Sequence, residues 1–321
     1  MATAMRLCPR ATVVKGTRGE YSKYSRWVTE IIADKAPLFE KVSIDEFYLD
    51  LTGMNKYFNP WQWTIGLRQE IIDKTGLPIS FALASNKMVA KMATNAAKPN
   101  GYMQVKAGME KEFLSPLPVN TIPGIGKQTY QHLLAIGIQT IGDVNLRKQA
   151  DLEFLLGSYG QELWNKAQGI HHGAVVPYSE AKSVSTENTF ETSSNDMDFI
   201  MSELVRMTER IAYELRQDDK MAGCIAVKIR YPDFETTSRQ MAISYTCYDD
   251  ELIPAAKVLF HKLYRKGQSV RLLGVKLSEL TSEARQTNLF ENTEKKTDLY
   301  NAIDAVKGRF GKDAISRART I

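Results

Sequence analysis

Cysteine and histidine are both scarce in this chain, with three Cys and four His in 321 residues. Cys8, Cys224 and Cys247 form no CxxC, and the histidines show no zinc-ligand spacing, which excludes a disulfide framework and a structural zinc knot. A reducing, cytoplasmic setting fits that usage. Long apolar runs are missing too. No stretch approaches the ~18 residues of a membrane span, and Arg6, Pro9 and Arg10 interrupt any signal-peptide core, so a soluble, unexported protein is expected. Nor does one sign of charge dominate: 42 Lys+Arg face 37 Asp+Glu, and the net +5 suits a polyanion partner without requiring one. With 43% hydrophobic and 25% charged residues the chain is globular, and its length predicts two or three domains.

What is present begins with Phe39 to Leu51, FEKVSIDEFYLDL, in which two apolar, β-prone runs flank the adjacent carboxylates Asp45 and Glu46. Asp-Glu is a poor choice for a tight hairpin, where positive φ favours Gly or Asn, and a local rule broken in this way points to function. Neighbours within a strand face opposite ways, but at a bend both carboxylates can reach one point. There they would raise each other's pKa unless a hard cation such as Mg2+ took their oxygens as ligands. From these two letters alone, a solvated acidic turn is the plain alternative.

Helices are predicted over 21–36, with Tyr24, Trp27, Val28, Ile31 and Ile32 on one side, over 61–74, and over 86–98, with Met88, Val89, Met92, Ala93 and Ala96 in register. An apolar strand is predicted at 79–84. Lys87, Lys91 and Lys98 lie within about 40° of each other at ~100° per residue, a stripe that reads as a phosphate seat or as a solvated basic face. Alternating strands and helices over a mixed sheet make residues 1–118 one α/β layer domain.

Ser115, Pro116 and Pro118 mark a boundary. Beyond it Pro123-Gly124-Ile125-Gly126-Lys127 precedes a short helix that Gly137 closes, and Thr140 caps the next. This is the pattern of a helix-hairpin-helix, which grips a backbone phosphate through helix N-terminal amides without reading bases; an ordinary helical turn is the alternative. A P-loop is excluded, since GxxxxGK[ST] would need Gly at Thr121 and a hydroxyl at Gln128. The adjacent His171 and His172 have no third candidate nearby and read as surface side chains.

From Val184 the prediction is a strand at 184–190, a helix at 195–217, strands at 223–231 and 237–246, a helix at 251–266 and a strand at 270–280. That order is β-α-β-β-α-β, with the helices on one face of a sheet. Ile225, Val227 and Ile229 alternate with Ala226, Lys228 and Arg230, so the face away from the helices carries positive charge, suited to DNA or simply solvated. Gln286 to Phe290 is a short extended peptide ending in the apolar pair Leu289-Phe290, or a linker with a chance pair. Residues 298–311 form an amphipathic helix with Leu299, Ile303, Val306 and Phe310 in register, able to pack on a domain or a partner.

Ser43-Ile44-Asp45-Glu46, Asn86-Lys87 through Ala97-Lys98-Pro99-Asn100-Gly101, Ile122-Pro123-Gly124-Ile125-Gly126, and Lys182-Ser183-Val184-Ser185 with Glu187 and Phe190 together resemble the Y-family, translesion DNA polymerases. The resemblance covers essentially the whole chain. It implies a multidomain α/β (α+β) fold: the end of the fingers at 1–13, an incomplete palm at 14–118, a helical helix-hairpin-helix thumb at 119–175, a linker at 176–182, a β-α-β-β-α-β little finger at 183–281, and a tail at 282–321 with a clamp-binding peptide and a helix. The implied activity is template-directed DNA synthesis past damaged bases by a cytoplasmic monomer. Asp45 and Glu46 would be two of three carboxylates at a site for two Mg2+ ions, and Lys98 would contact the incoming triphosphate. Gly124, Ile125, Gly126 and Lys127 would hold a backbone phosphate, Lys228 and Arg230 would line the little-finger contact with DNA, and Gln286, Leu289 and Phe290 would bind a sliding clamp. Primer–template DNA, deoxynucleoside triphosphates and the clamp are the implied partners.

One departure matters. In the family, the segment before a stretch like MATAMRLCPRA carries the first catalytic carboxylate, the steric-gate aromatic, and the Tyr and Arg that bind the triphosphate. No acidic cluster on a predicted strand of this chain replaces them. Synthesis by this chain alone is therefore expected to be impaired, the alternative function being a non-catalytic module that holds primer–template and docks on the clamp.

Overall fold

In a computed structural model the chain divides into two compact units, Met1–Ser179 and Glu180–Ile321. The residues described are 2–17, 19–177, 179–282, 293–312, 314, 315 and 317. No helix among them is long and apolar enough to cross a membrane.

The first unit runs α1 (Ala2–Leu7), α2 (Glu20–Lys35), β1 (Phe39–Lys41), β2 (Phe47–Leu49), α3 (Pro60–Thr75), β3 (Phe81–Leu83), α4 (Lys87–Ala97), β4 (Tyr102–Gln104), α5 (Glu110–Leu114), α6 (Lys127–Ala135), α7 (Ile141–Asn145), α8 (Gln149–Leu156) and α9 (Ser158–Ala167). Local chemistry sets the helix ends. Asn59 accepts from the Trp61 and Gln62 amides with Pro60 at the first helical position, and Gly76 closes α3 at φ 72°. Asn86 caps α4 through the Val89 amide, and Thr140 and Asp143 form a capping box on α7.

The mixed sheet expected for this region is instead two separate pairs, β1–β2 antiparallel and β3–β4 parallel. Each strand is three residues long, so few ladder bonds form and side-chain packing holds the unit together. One small core joins α2 and α3: Val28, Ile31, Ile32, Leu67 and Ile71, with Phe39, Phe47 and Leu49 against it. Trp27, expected on the buried side of α2, is 39% exposed, because the helix centres its contact on Val28 to Ile32. A second core runs from Met88, Val89, Met92 and Ala93 of α4 through Leu114, Val119 and Ile122 to Leu133, Ile141, Leu152 and Leu163. It continues across Pro118. Helices α8 and α9, not anticipated from periodicity, close it from the far side.

The second unit is β5 (Ser183–Ser194), α10 (Met197–Gln217), β6 (Met221–Arg230), β7 (Thr236–Thr246), α11 (Asp249–Leu263), β8 (Val270–Thr281) and α12 (Thr293–Phe310). Its β-α-β-β-α-β order follows the alternation in the sequence closely. The strands form one antiparallel sheet in the order β5-β8-β6-β7. Ile200, Leu204, Met207, Ile211 and Leu215 of α10 and Leu252, Ala256, Leu259 and Phe260 of α11 bury against Ile225, Val227, Ile229, Leu273, Val275 and Leu277 of the sheet. Both helices thus cover one face and leave the other open.

Helix α12 packs by a face turned from the centre of the expected apolar stripe, of which Ile303 and Val306 are half-buried. Leu299 and Phe310 are 58% and 68% exposed, whereas Tyr300 and Lys307 are buried. The reason is the charge of the surface it meets. Arg216, at the end of α10, is gripped by Asp304 of α12 at 2.7 and 3.0 Å and by Asp249 of α11 at 2.8 Å, and its guanidinium lies 4.6 Å from the Tyr300 ring centroid. Lys296 pairs with Asp250 at 2.8 Å and also with Glu251. Polar anchors turn the helix.

Candidate active site and nucleic-acid interface

Pairing of Phe39 with Leu49 and Lys41 with Phe47 makes β1 and β2 a hairpin, with residues 42–46 as its loop. The Val42 amide donates to the Glu46 carbonyl at 3.0 Å, and the residues between bend outward. Asp45 and Glu46 stand at that bend, as the sequence suggested. Asp45 is exposed and accepts the Ser43 hydroxyl at 2.6 Å; Glu46 is half-buried and paired with the Lys91 ammonium.

The lysine stripe of α4 is what meets this hairpin. Lys87 donates to Glu40 at 2.7 Å and lies 5.3 Å from the centroid of Tyr48, the residue opposite Glu40 in the ladder. Burial by itself raises the Glu40 carboxyl, but the hydrogen bonds from Lys87 and from the Val176 amide, at 2.9 Å, bring it below the usual carboxylate range. Burial, with the nearby Glu46 and Glu40 charges, pushes the Tyr48 phenol up. Lys98 follows the last turn of α4 and is exposed. Two of the three lysines expected to seat phosphates therefore hold carboxylates, and Lys98 stands apart from them. Ser43 belongs to the motif read from the sequence, whereas Glu40 and Tyr48 were not singled out there. No pattern in the sequence marks them, since their pairing across the hairpin is set by the fold.

Two adjacent carboxylates offer hard oxygen donors, and Glu46 carries the Lys91 ammonium as its counter-charge. Both carboxylates are of the donor class a hard divalent cation takes, Asp45 exposed and Glu46 held on Lys91. Among the described residues, no group of three or more His, Cys, Asp or Glu is arranged to hold a metal.

The glycine-rich loop 122–126 leads into α6. Gly124 adopts φ 96°, which a side chain would oppose, and the Tyr130 amide is the one that bonds back to the Gly126 carbonyl, at 2.9 Å. The Lys127, Gln128 and Thr129 amides before it are those a helix N-terminus leaves without an internal partner, whereas the Ile125 amide donates to the Ile122 carbonyl at 3.2 Å. Gly124, Gly126 and Lys127 are exposed and Ile125 half-buried. Lys166 of α9, which sequence reasoning missed, donates to the Pro123 carbonyl at 3.1 Å and pairs with Glu162 at 2.7 Å. His171, in the following loop, is held below its usual pKa by burial and by the charges of Lys87 and Lys166.

On the open face of the second unit the register sets three rows: Ser185, Lys276, Ala226 and Gln240; Glu187, Gly274, Lys228 and Ser238; Thr189, Leu272, Arg230 and Thr236. Gly274 lets the middle row close. A Cβ there would lie 2.9 Å from Glu187 Cγ, and without it Glu187 reaches the Lys228 ammonium. Arg230 donates to Thr236 Oγ1 at 2.8 Å. The positive face expected from Lys228 and Arg230 thus contains a carboxylate in ion-pair contact with Lys228, and it gains the exposed Lys276 from alternation in β8. Gln286, Leu289 and Phe290 lie outside the described residues.

The family model described as impB/mucB/samB family matches residues 1–95, and that for the impB/mucB/samB family C-terminal domain matches residues 181–289. The chain is 34% identical over 323 residues to the DNA polymerase IV of Dehalococcoides mccartyi, with 100% of this chain and 83% of that protein covered. It is 32% identical over 328 residues to the DNA polymerase IV of Desulfatibacillum aliphaticivorans, with the same coverage. Among solved structures, a Y-family DNA polymerase chimera of Dbh and Dpo4 superposes with a TM-score of 0.77 at 26% identity, covering 87% of this chain and 81% of that one. An insertion ternary complex of Dbh DNA polymerase gives 0.59 at 25% identity, covering 86% and 81%.

Proposed function

The chain belongs to the impB/mucB/samB, or Y-family, DNA polymerases, and from that membership we propose how its residues divide the work of translesion synthesis. The function is template-directed DNA synthesis past damaged bases, a nucleotidyl transfer on primer–template DNA with deoxynucleoside triphosphates as substrates. Y-family enzymes generally use divalent metal ions. The finer assignment is ours: Asp45 and Glu46 are two ligands of a two-ion magnesium site in a palm spanning 14–118, with the end of the fingers at 1–13. Bound there, the metal would supply charge stabilisation and a lowered pKa at the attacking hydroxyl. Ser43 orients Asp45. Lys91 neutralises Glu46 and keeps the adjacent pair from mutual repulsion. Lys98, exposed beyond α4, contacts the triphosphate.

In a thumb at 119–175, the loop of Gly124, Ile125, Gly126 and Lys127 holds a backbone phosphate at the N-terminus of α6, the loop being braced by Lys166. A linker at 176–182 leads to a little finger at 183–281, whose open face meets DNA through Lys228, Arg230 and Lys276. The tail at 282–321 carries the clamp contact at Gln286, Leu289 and Phe290. The protein acts as a cytoplasmic monomer. The observation that carries the reading is the bend at Asp45 and Glu46, set against a lysine-bearing helix.

Primer extension tests it. Asp45→Ala or Glu46→Ala is expected to lower the incorporation rate by ~10^2 or more, the usual cost of removing electrostatic stabilisation of such a transition state. Equal extension by the doubly substituted protein would remove the pair from the chemistry. No extension by the 321-residue chain, with duplex binding retained, would make this polypeptide a primer–template holder.

A further inference from the structure

The turn between β6 and β7, Tyr231-Pro232-Asp233-Phe234-Glu235, breaks a local rule. The Phe234 amide donates to the Tyr231 carbonyl at 3.0 Å, and the Tyr231 amide donates to the Glu235 carbonyl at 2.9 Å. This is a turn followed by one left-handed residue, a position that glycine or asparagine ordinarily fills. Here it is Phe234, at φ 69°. A bulky side chain in that region is a genuine outlier, and burial does not compensate it, because Phe234 is 65% exposed.

The surroundings hold the residue there. The Asp233 carboxylate accepts the Glu235 amide at 2.9 Å, and the Glu235 carboxylate takes both terminal nitrogens of Arg265. Tyr231 is buried; its hydroxyl donates to the Leu263 carbonyl at 3.2 Å and accepts the Arg265 amide at 3.0 Å. A strained conformation that its environment over-determines is a reason to look for function. The guanidinium of Arg271 lies 4.8 Å from the Phe234 ring centroid. Arg230, in the last row of the open face, donates to Thr236, two residues beyond Phe234. The cations in contact with the turn and its flanks are Arg230, Arg265 and Arg271; the acids are Asp233 and Glu235, the second already paired.

An outward aromatic ring backed by a guanidinium, inside a positive surround, is the chemistry of a stacking platform for nucleobases. We propose that Phe234, supported by Arg271, stacks on an unpaired base of single-stranded DNA at the rim of the open face. The inference rests on the reading of that face as a DNA contact and adds to it a site for the unpaired strand.

The test uses the full chain, a fluorescein-labelled oligodeoxythymidylate and a blunt labelled duplex. Phe234→Gly is expected to weaken single-strand binding about tenfold, as loss of one stacked base does, with duplex affinity within about twofold of wild type. Glycine accepts the φ, so the melting temperature does not fall. The salt slope of binding is unchanged, because the ring carries no charge. Phe234→Trp restores single-strand affinity. Wild-type single-strand affinity in Phe234→Gly, or equal losses on both probes, overturns the proposal. Lys228→Glu/Arg230→Glu separates it from the reading beneath it. If that variant loses both probes while Phe234→Gly loses neither, only the stacking site is wrong; if it keeps both, the open face is not the DNA contact and the proposal falls with it.

Discussion

Among the described residues the two units carry four strands each and use them in opposite ways. In the second unit strands of 10 to 12 residues form one sheet, and two helices bury a continuous core on one of its faces. In the first, strands of three residues form two separate pairs, and the larger core belongs to helices. A long sheet is a rigid platform that leaves a whole face available, which suits contact with an extended polymer. A three-residue hairpin positions only its loop, and it does so with help from elsewhere: Lys87 on Glu40 and Lys91 on Glu46 fasten it to α4. The proposed chemistry sits on the part that needs bracing.

That contrast can be broken by experiment, because all four tryptophans, Trp27, Trp61, Trp63 and Trp164, lie in the first unit. Arg216→Met strips the guanidinium from between Asp249 and Asp304, where all three side chains are nearly buried. Breaking such a cluster typically costs about 3–5 kcal/mol. The loss is expected in denaturant titrations followed by far-UV circular dichroism, with the tryptophan fluorescence midpoint unmoved. A matching shift in the tryptophan signal would mean that the units unfold together.

The complementary change is Thr140→Ala, which removes the capping box of α7. It is expected to cost about 1 kcal/mol, and here the tryptophan midpoint should move. An unmoved midpoint would mean that the helical core does not depend on this cap.

The smallest effect is one of pH. Burial raises the Asp250 carboxyl, but hydrogen bonds from Lys296 and the Tyr300 hydroxyl, with the Lys296 charge, bring it below its ordinary value near 3.8. A folded pKa below the unfolded one gives stabilisation that is present above about pH 4 and lost as the pH falls through the folded value. The protection factors of the α12 amides, corrected for the intrinsic pH dependence of exchange, should therefore fall as the pH is lowered from about 5 to about 3, while the sheet stays protected. Equal protection of α12 at both values would show that this contact does not hold the helix.

Legibility followed the same divide. The alternation of Ile225, Val227 and Ile229 with Ala226, Lys228 and Arg230 runs long enough for a period of two to declare both faces of the sheet. Three-residue strands offer no such run, and the expectation of one mixed sheet failed where strand length left nothing to count. The carboxylate bend and the capped α6–α7 pair were legible because each depends on neighbours in sequence. The partner of Glu46 was not, since Lys91 lies 45 residues away and only packing brings it there.

The sequence by itself determined where α2, α3, α4, α10, α11 and the long strands run, which residues bend at the carboxylates, and which family the chain resembles. Those properties rest on backbone preference and short-range pattern, which act within a few residues. Tertiary structure alone decided that the α4 lysines close on the hairpin acids, that Gly274 lets Glu187 reach Lys228, and that Phe234 is held at positive φ by Arg265 and Tyr231. It also turned α12 onto Tyr300, Asp304 and Lys307 rather than the centre of its apolar stripe. In each case a charge or a ring meets a partner distant in sequence, and the free energy of that meeting is fixed by burial and distance in the folded chain.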